Sequence, residues 1–80
     1  MYYVYAIRSI TKNWIYIGNT KNVETRFVEH NKGFVKSTKY YRPFTLIFVQ
    51  IVVTRREARD LEEFLKVRWN KEGLLDLLTE

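Results

Sequence analysis

Apolar residues dominate the first eight positions. Residues 2–8, Tyr2-Tyr3-Val4-Tyr5-Ala6-Ile7-Arg8, are rich in β-prone types and predict a strand. Alternation along it puts Tyr3, Tyr5 and Ile7 on one face. Ser9 to Asn13 is polar and turn-like. Trp14-Ile15-Tyr16-Ile17-Gly18 predicts a second strand, with Trp14 and Tyr16 on one face and Ile15 and Ile17 on the other. The short polar connection makes an antiparallel hairpin the simplest pairing. A helix is expected over residues 23–32, capped by Asn22, stopped by Gly33 and anchored by Val23 and Phe27. Residues 34–43 form a polar, basic loop ending in Arg42-Pro43, where proline disfavours helix at the residue before it. Residues 44–53 are the longest β-prone apolar run, and their character predicts the central strand, buried on much of both faces.

Thr54-Arg55-Arg56-Glu57 then reads as a capping box. The helix behind it runs to about Trp69, with Ala58, Leu61, Leu65 and Trp69 as its apolar stripe. Asn70 is placed to cap a last short helix containing Leu74, Leu75, Leu77 and Leu78, weakened by Gly73. The order β-β-α-β-α-α predicts one α/β (α+β) domain over residues 1–80, a three-stranded sheet with helices packed on it.

The chain has 80 residues, of which thirteen are Phe, Trp or Tyr, enough large rings for a core without staples. It has no cysteine, which excludes disulfides and thiolate metal sites. No apolar run approaches bilayer length, and the start lacks a basic segment followed by an apolar stretch. A cytoplasmic protein without a membrane partner is therefore expected. The net charge is +5, unevenly spread. Before Glu57 the only acids are Glu24 and Glu29, whereas the stretch from His30 to Arg56 carries Lys32, Lys36, Lys39, Arg42, Arg55 and Arg56. Such asymmetry favours a polyanionic partner, because each neutralised phosphate releases counterions.

Three groups of residues could carry chemistry. Glu62 falls within or at the edge of the apolar stripe, where a carboxylate costs desolvation unless paired, hydrogen-bonded or bound to a metal; a salt bridge at the stripe's edge is the plain alternative. Arg26 and His30 lie four apart on one side of the first helix. Arg26 could clamp phosphate oxygens and His30 could move a proton, or the two could form a solvated flank with Arg26 pairing Glu29. Tyr5 and Tyr16, on neighbouring strands, could orient water if their surroundings perturb them, or serve as core. Together these types supply what phosphodiester hydrolysis requires: a base or water-positioner, a cation on the phosphate, and help for the leaving oxygen. Glu62 as a hard oxygen ligand suits Mg²⁺.

Tyr3-Val4-Tyr5 followed by Tyr16-Ile17-Gly18 resembles the paired half-motifs of the GIY-YIG endonuclease superfamily. The likeness continues through Thr20, Asn22, Arg26-Phe27-Val28-Glu29-His30-Asn31, Lys32-Gly33, Ser37-Thr38-Lys39, Arg42-Pro43-Phe44, Glu57-Ala58-Arg59, Leu61-Glu62 and Leu65-Lys66. It covers roughly residues 2–68 and is closest in kind to small stand-alone members and to the N-terminal nuclease domain of the repair excinuclease subunit UvrC. The resemblance implies a three-stranded antiparallel sheet flanked by helices and a Mg²⁺-dependent (or Mn²⁺-dependent) DNA endonuclease site. By position, it implies Tyr5 as general base or water-positioner, Tyr16 orienting water or phosphate, and Arg26 neutralising the scissile phosphate. It also implies His30 hydrogen-bonding a tyrosine, and Glu62 binding the metal. Three positions depart from the pattern: Tyr3 replaces the first Gly, Asn19 stands where repair-type members carry Lys, and a late Asn of larger relatives has no clear match.

The basic loop supplies Lys32, Lys36, Ser37, Lys39 and Arg42 as candidate nucleic-acid contacts. Nothing in it encodes readout of base edges, so structure-selective or weakly selective binding is expected, with targeting supplied by an oligomer or a protein partner. A catalytically weak nucleic-acid-binding module and a protein-interaction domain are the competing functional classes.

Overall fold

In the computed structural model, which describes residues 1–71, the chain pairs Tyr2–Ser9 (β1) antiparallel with Ile15–Thr20 (β2). Helix Val23–Lys32 (α1), a 3₁₀ turn at Lys39–Tyr41, strand Phe44–Val52 (β3) and helix Arg55–Lys71 (α2) complete the order. All three strands are antiparallel and lie in the order β2-β1-β3.

The expected position of residues 44–53 is corrected by this order: β1, not β3, is central. Val4, Tyr5, Ala6 and Ile7 are all buried, so β1 is covered on both faces. β3 is an edge strand, and its Leu46, Ile47, Val49 and Ile51 are 39–46% exposed. Apolar content marks a strand but does not say which neighbours it has. Here α2 packs mainly on the β1–β2 hairpin, while α1 touches all three strands. β3 also carries one extra residue, Ile47, opposite the Ala6–Ile7 step, a bulge that bends this edge.

The pleat sorts the site before any helix is added. Register pairs Tyr5 with Gly18 and Ile7 with Tyr16, so those side chains share a face. Val4, Ala6, Ile15, Ile17 and Asn19 share the other. α1 covers the Tyr5 face, through His30. α2 covers the Val4 face, where Trp69 meets Phe48 edge-on at 5.9 Å and buried Ala58 and Leu65 join the core. Leu65 is the fully packed leucine of α2, whereas Leu61 is half-buried. Leu65→Ala is expected to destabilise the fold by about 2–5 kcal/mol, read from the midpoint of chemical denaturation; an unchanged midpoint would contradict this packing.

The caps fall where the local chemistry puts them. Asn22 accepts from the Thr25 amide, and Gly33 closes α1 in a left-handed conformation at φ 80°. Thr54 and Glu57 exchange hydrogen bonds at 3.0 and 3.1 Å, completing the capping box. The Thr54 amide and hydroxyl, both donating to Glu57 Oε1, hold this carboxyl below its usual pKa. α2 runs through Asn70 to Lys71 without the expected break; Leu74, Leu75, Leu77 and Leu78 lie outside the described residues. The loop after α1 is more ordered than its polarity suggests. Tyr41 stacks on Trp14 at 3.9 Å, Ser9 Oγ donates to the Tyr41 carbonyl at 2.6 Å, and Asn31 accepts from the Phe44 amide at 2.6 Å. No helix among the described residues is long and apolar enough to cross a membrane.

Candidate active site

The site begins with the absence of a side chain at Gly18. A Cβ there would lie 2.8 Å from Tyr16 Cε2 and 2.9 Å from the Tyr5 hydroxyl. Glycine at this register position lets both rings lean across β2. The Tyr5 and Tyr16 rings sit 6.3 Å apart, and the His30 ring lies 5.7 Å from one and 5.2 Å from the other. The YIG glycine is thus a packing requirement of the tyrosine pair.

Tyr5 is 1% exposed, and its hydroxyl meets His30 Nε2 at 2.7 Å. His30 is fully buried and places Nδ1 2.7 Å from the Thr38 hydroxyl. Arg26, one turn before His30, forms an ion pair with Glu29 at 3.1 Å, and its charge also acts on the Tyr5 hydroxyl. The pairing with Glu29 that the sequence left open is present, while His30 is buried rather than part of a solvated flank.

Burial dominates the protonation of this cluster. It pushes the Tyr5 phenol up, with Tyr16 adding to the rise and Arg26 opposing it. The Glu62 carboxylate raises it further, so the two helices act on one hydroxyl. Burial, and then the Arg26 charge, lowers His30 from 6.5 to about 4. At neutral pH both side chains are uncharged. Between pH 6.5 and 4 the unfolded chain binds a proton that folded His30 refuses. Stability therefore falls as pH drops through that window, by up to about 1.4 kcal/mol per pH unit from this group. His30 is the chain's single histidine, so an NMR titration reads it directly. A midpoint well below 6.5 is expected, and a midpoint at 6.5 would contradict the buried pair.

Glu62 projects from α2 towards the outer strand. Asn19 Nδ2 donates to its Oε1 at 2.7 Å, and Lys66 Nζ lies 3.3 Å from Oε2. The side chain keeps 21% exposure, and a cleft of about 300 Å³ lined by Arg59, Glu62, Glu63 and Lys66 opens beside it. Among the described residues, no three His, Cys, Asp or Glu cluster as a ready metal cage. A single carboxylate beside open solvent fits Mg²⁺, which keeps several waters and is commonly held by one or two carboxylates plus substrate phosphate.

Tyr5, Tyr16, Arg26 and His30 are thus brought together on one face of the sheet, whereas Glu62, held by Asn19 on the other face, acts on Tyr5 through its charge. The basic residues of the loop are arranged separately. Lys32, Lys36, Ser37 and Arg42 are exposed, while Lys39 lies over the Tyr40 ring at 5.1 Å. Arg42 donates to the Lys39 carbonyl at 2.9 Å and lies against Gly33. The sequence named Asn19 only as a departure from the family pattern and Thr38 only within its Ser-Thr-Lys match; the structure adds the Asn19 bond to Glu62 and the Thr38 bond to His30. Asn19 follows Tyr16-Ile17-Gly18 directly, and its polar side chain alternates onto the α2 face. That alternation was the available signal. Thr38 carried no signal beyond its place in a polar Ser-Thr-Lys run.

The GIY-YIG catalytic domain family matches residues 1–74. A UPF0213 protein of Staphylococcus saprophyticus is 30% identical over 80 residues, spanning 99% of this chain and 95% of that protein. The UPF0213 protein YazA of Bacillus subtilis is 35% identical over 66 residues, 81% of this chain and 66% of that protein. No solved structure matches the chain.

Proposed function

The chain belongs to the GIY-YIG family of nuclease-type domains, and from that membership we propose that it is a divalent-metal-dependent DNA endonuclease that hydrolyses a phosphodiester bond with weak or structure-based selectivity. The observation that carries this reading is the Tyr5 hydroxyl. It meets His30 Nε2 at 2.7 Å and lies in the fields of the Arg26 guanidinium and a partly exposed carboxylate.

The residues divide the work. Tyr5 orients the attacking water and takes its proton while passing its own to His30 Nε2. This relay avoids a free buried phenolate, which burial disfavours. Tyr16 orients water or phosphate from the same face. Arg26 neutralises the scissile phosphate with its planar fork. Glu62, steadied by Asn19, would hold Mg²⁺ or Mn²⁺, which when bound supplies positive charge to the leaving oxygen. The loop residues Lys32, Lys36, Ser37, Lys39 and Arg42 contact the phosphate backbone, and an oligomer or partner protein supplies targeting. A role in DNA repair or processing follows from the likeness to the excinuclease domain.

The test is conversion of supercoiled DNA to the nicked form with Mg²⁺, Mn²⁺ or EDTA. Nicking with either metal and none with EDTA is expected. Salt-sensitive DNA binding without turnover would instead support the binding-module reading. Replacing Lys32 and Lys36 with Gln should reduce the slope of log affinity against log salt by about one for each.

A further inference from the structure

The catalytic reading explains Tyr5, Arg26 and His30 but leaves Thr38 unused. Its surroundings are unusual for a loop residue in a polar, basic run. Thr38 is fully buried, its hydroxyl lies 2.7 Å from His30 Nδ1, and the remaining contact is the Val35 carbonyl at 3.4 Å. The 3₁₀ turn that follows is held by Tyr41 stacked on Trp14 and by the Ser9 bond to the Tyr41 carbonyl. The loop is therefore pinned at the point where it delivers this hydroxyl.

The donors and acceptors can be counted around the chain of contacts. Arg26 has donors only and its charge favours electron density on the Tyr5 oxygen, so it offers no competing proton acceptor there. The phenolic proton is then free to point at His30 Nε2. A neutral imidazole carries one proton, so a bare Nε2 requires that proton on Nδ1. Thr38 Oγ1 can accept it only if its own proton points elsewhere, and the Val35 carbonyl is the acceptor within reach. The assignment consistent with these contacts runs from Tyr5 to His30, His30 to Thr38 and Thr38 to the Val35 carbonyl, which also accepts the Thr38 and Lys39 amides. No buried side-chain nitrogen or oxygen among the described residues is left without a partner.

We propose that Thr38 is a positioning residue: its hydroxyl accepts the His30 Nδ1 proton and so keeps Nε2 bare and aimed at the Tyr5 hydroxyl. It plays the part that an orienting carboxylate plays for a catalytic histidine, but with a neutral group. A carboxylate here would stabilise the imidazolium. A hydroxyl fixes the tautomer without adding charge in a site that must admit a phosphate. The proposal rests on the nuclease reading for its catalytic meaning, yet its structural content is testable without DNA or metal.

The experiment uses the whole chain and its single histidine. Long-range ¹H–¹⁵N correlation NMR of the ¹⁵N-labelled protein, in the absence of DNA and metal, distinguishes the two neutral tautomers. Wild type should show the Nδ1-protonated form, Thr38→Ser should keep it, and near-isosteric Thr38→Val should shift the population to Nε2–H. The nicking rate should fall by roughly ten- to a hundredfold in Thr38→Val with unchanged DNA affinity, and recover to near wild type in Thr38→Ser. An Nε2-protonated wild type would overturn the proposal, and this reading stands even if Thr38→Val fails to fold. An unchanged tautomer in folded Thr38→Val, or serine failing to rescue the rate, would also overturn it. Absence of nicking in the wild type would sink the nuclease reading while leaving the tautomer result to decide the role of Thr38.

Discussion

Tyr5→Phe should lose cleavage by a factor of roughly 10²–10⁴, the range that a positioned acid–base group contributes. The substitution removes one oxygen and leaves the ring, so the packing against Tyr16, His30 and Gly18 is kept. What disappears is the link between water and His30. The fold pays a smaller cost. His30 Nε2 loses its 2.7 Å partner in a fully buried setting, which should destabilise by about 1–3 kcal/mol. Single-turnover cleavage and thermal melting measure the two effects separately. A variant that still cuts at the wild-type rate would remove Tyr5 from the mechanism. A variant that fails to fold would make Tyr5 a core residue first.

Glu62→Gln should reduce metal-dependent cleavage by a factor of at least about 10², with DNA affinity kept or slightly raised because one negative charge is gone. The geometry explains why the fold survives. Glu62 is partly exposed, and its two contacts are an amide and a lysine at the helix surface. An exposed pair of this kind contributes only about 0–1 kcal/mol. Glutamine keeps an acceptor for Asn19 Nδ2 but offers a metal no charge. Circular dichroism and a salt-dependent binding assay should therefore match wild type. Loss of fold in this variant would show that the Asn19–Glu62–Lys66 contacts are structural. Retained cleavage would move the metal ligand elsewhere.

The sequence made the local features legible and left the spatial ones to the structure. The hairpin, both helix starts and the Gly33 stop follow from alternation, capping chemistry and backbone freedom, all of which act within a few residues. Alternation and helical spacing put Tyr5 and Tyr16 on neighbouring strands and Arg26 and His30 on one side of the first helix, but only the family resemblance joined the four into one site. The central position of β1 was not legible. Residues 44–53 are the more apolar run, but strand order depends on where two helices find alternating faces to cover. Thr38 was hidden for a related reason. A threonine in a basic loop becomes a buried partner only through the distant Trp14–Tyr41 stack and the Ser9 bond that fold the loop back. Asn19 appeared as a departure from a lysine pattern; in the folded chain it is the residue that holds Glu62.

Nicking of supercoiled DNA by freshly purified wild type, beside Tyr5→Phe and Glu62→Gln at equal concentration with Mg²⁺ or Mn²⁺, tests the central claim most directly. Nicked product from wild type alone, abolished by EDTA, is the predicted result. Equal nicking by all three proteins, or none by any of them while DNA binding persists, would contradict it.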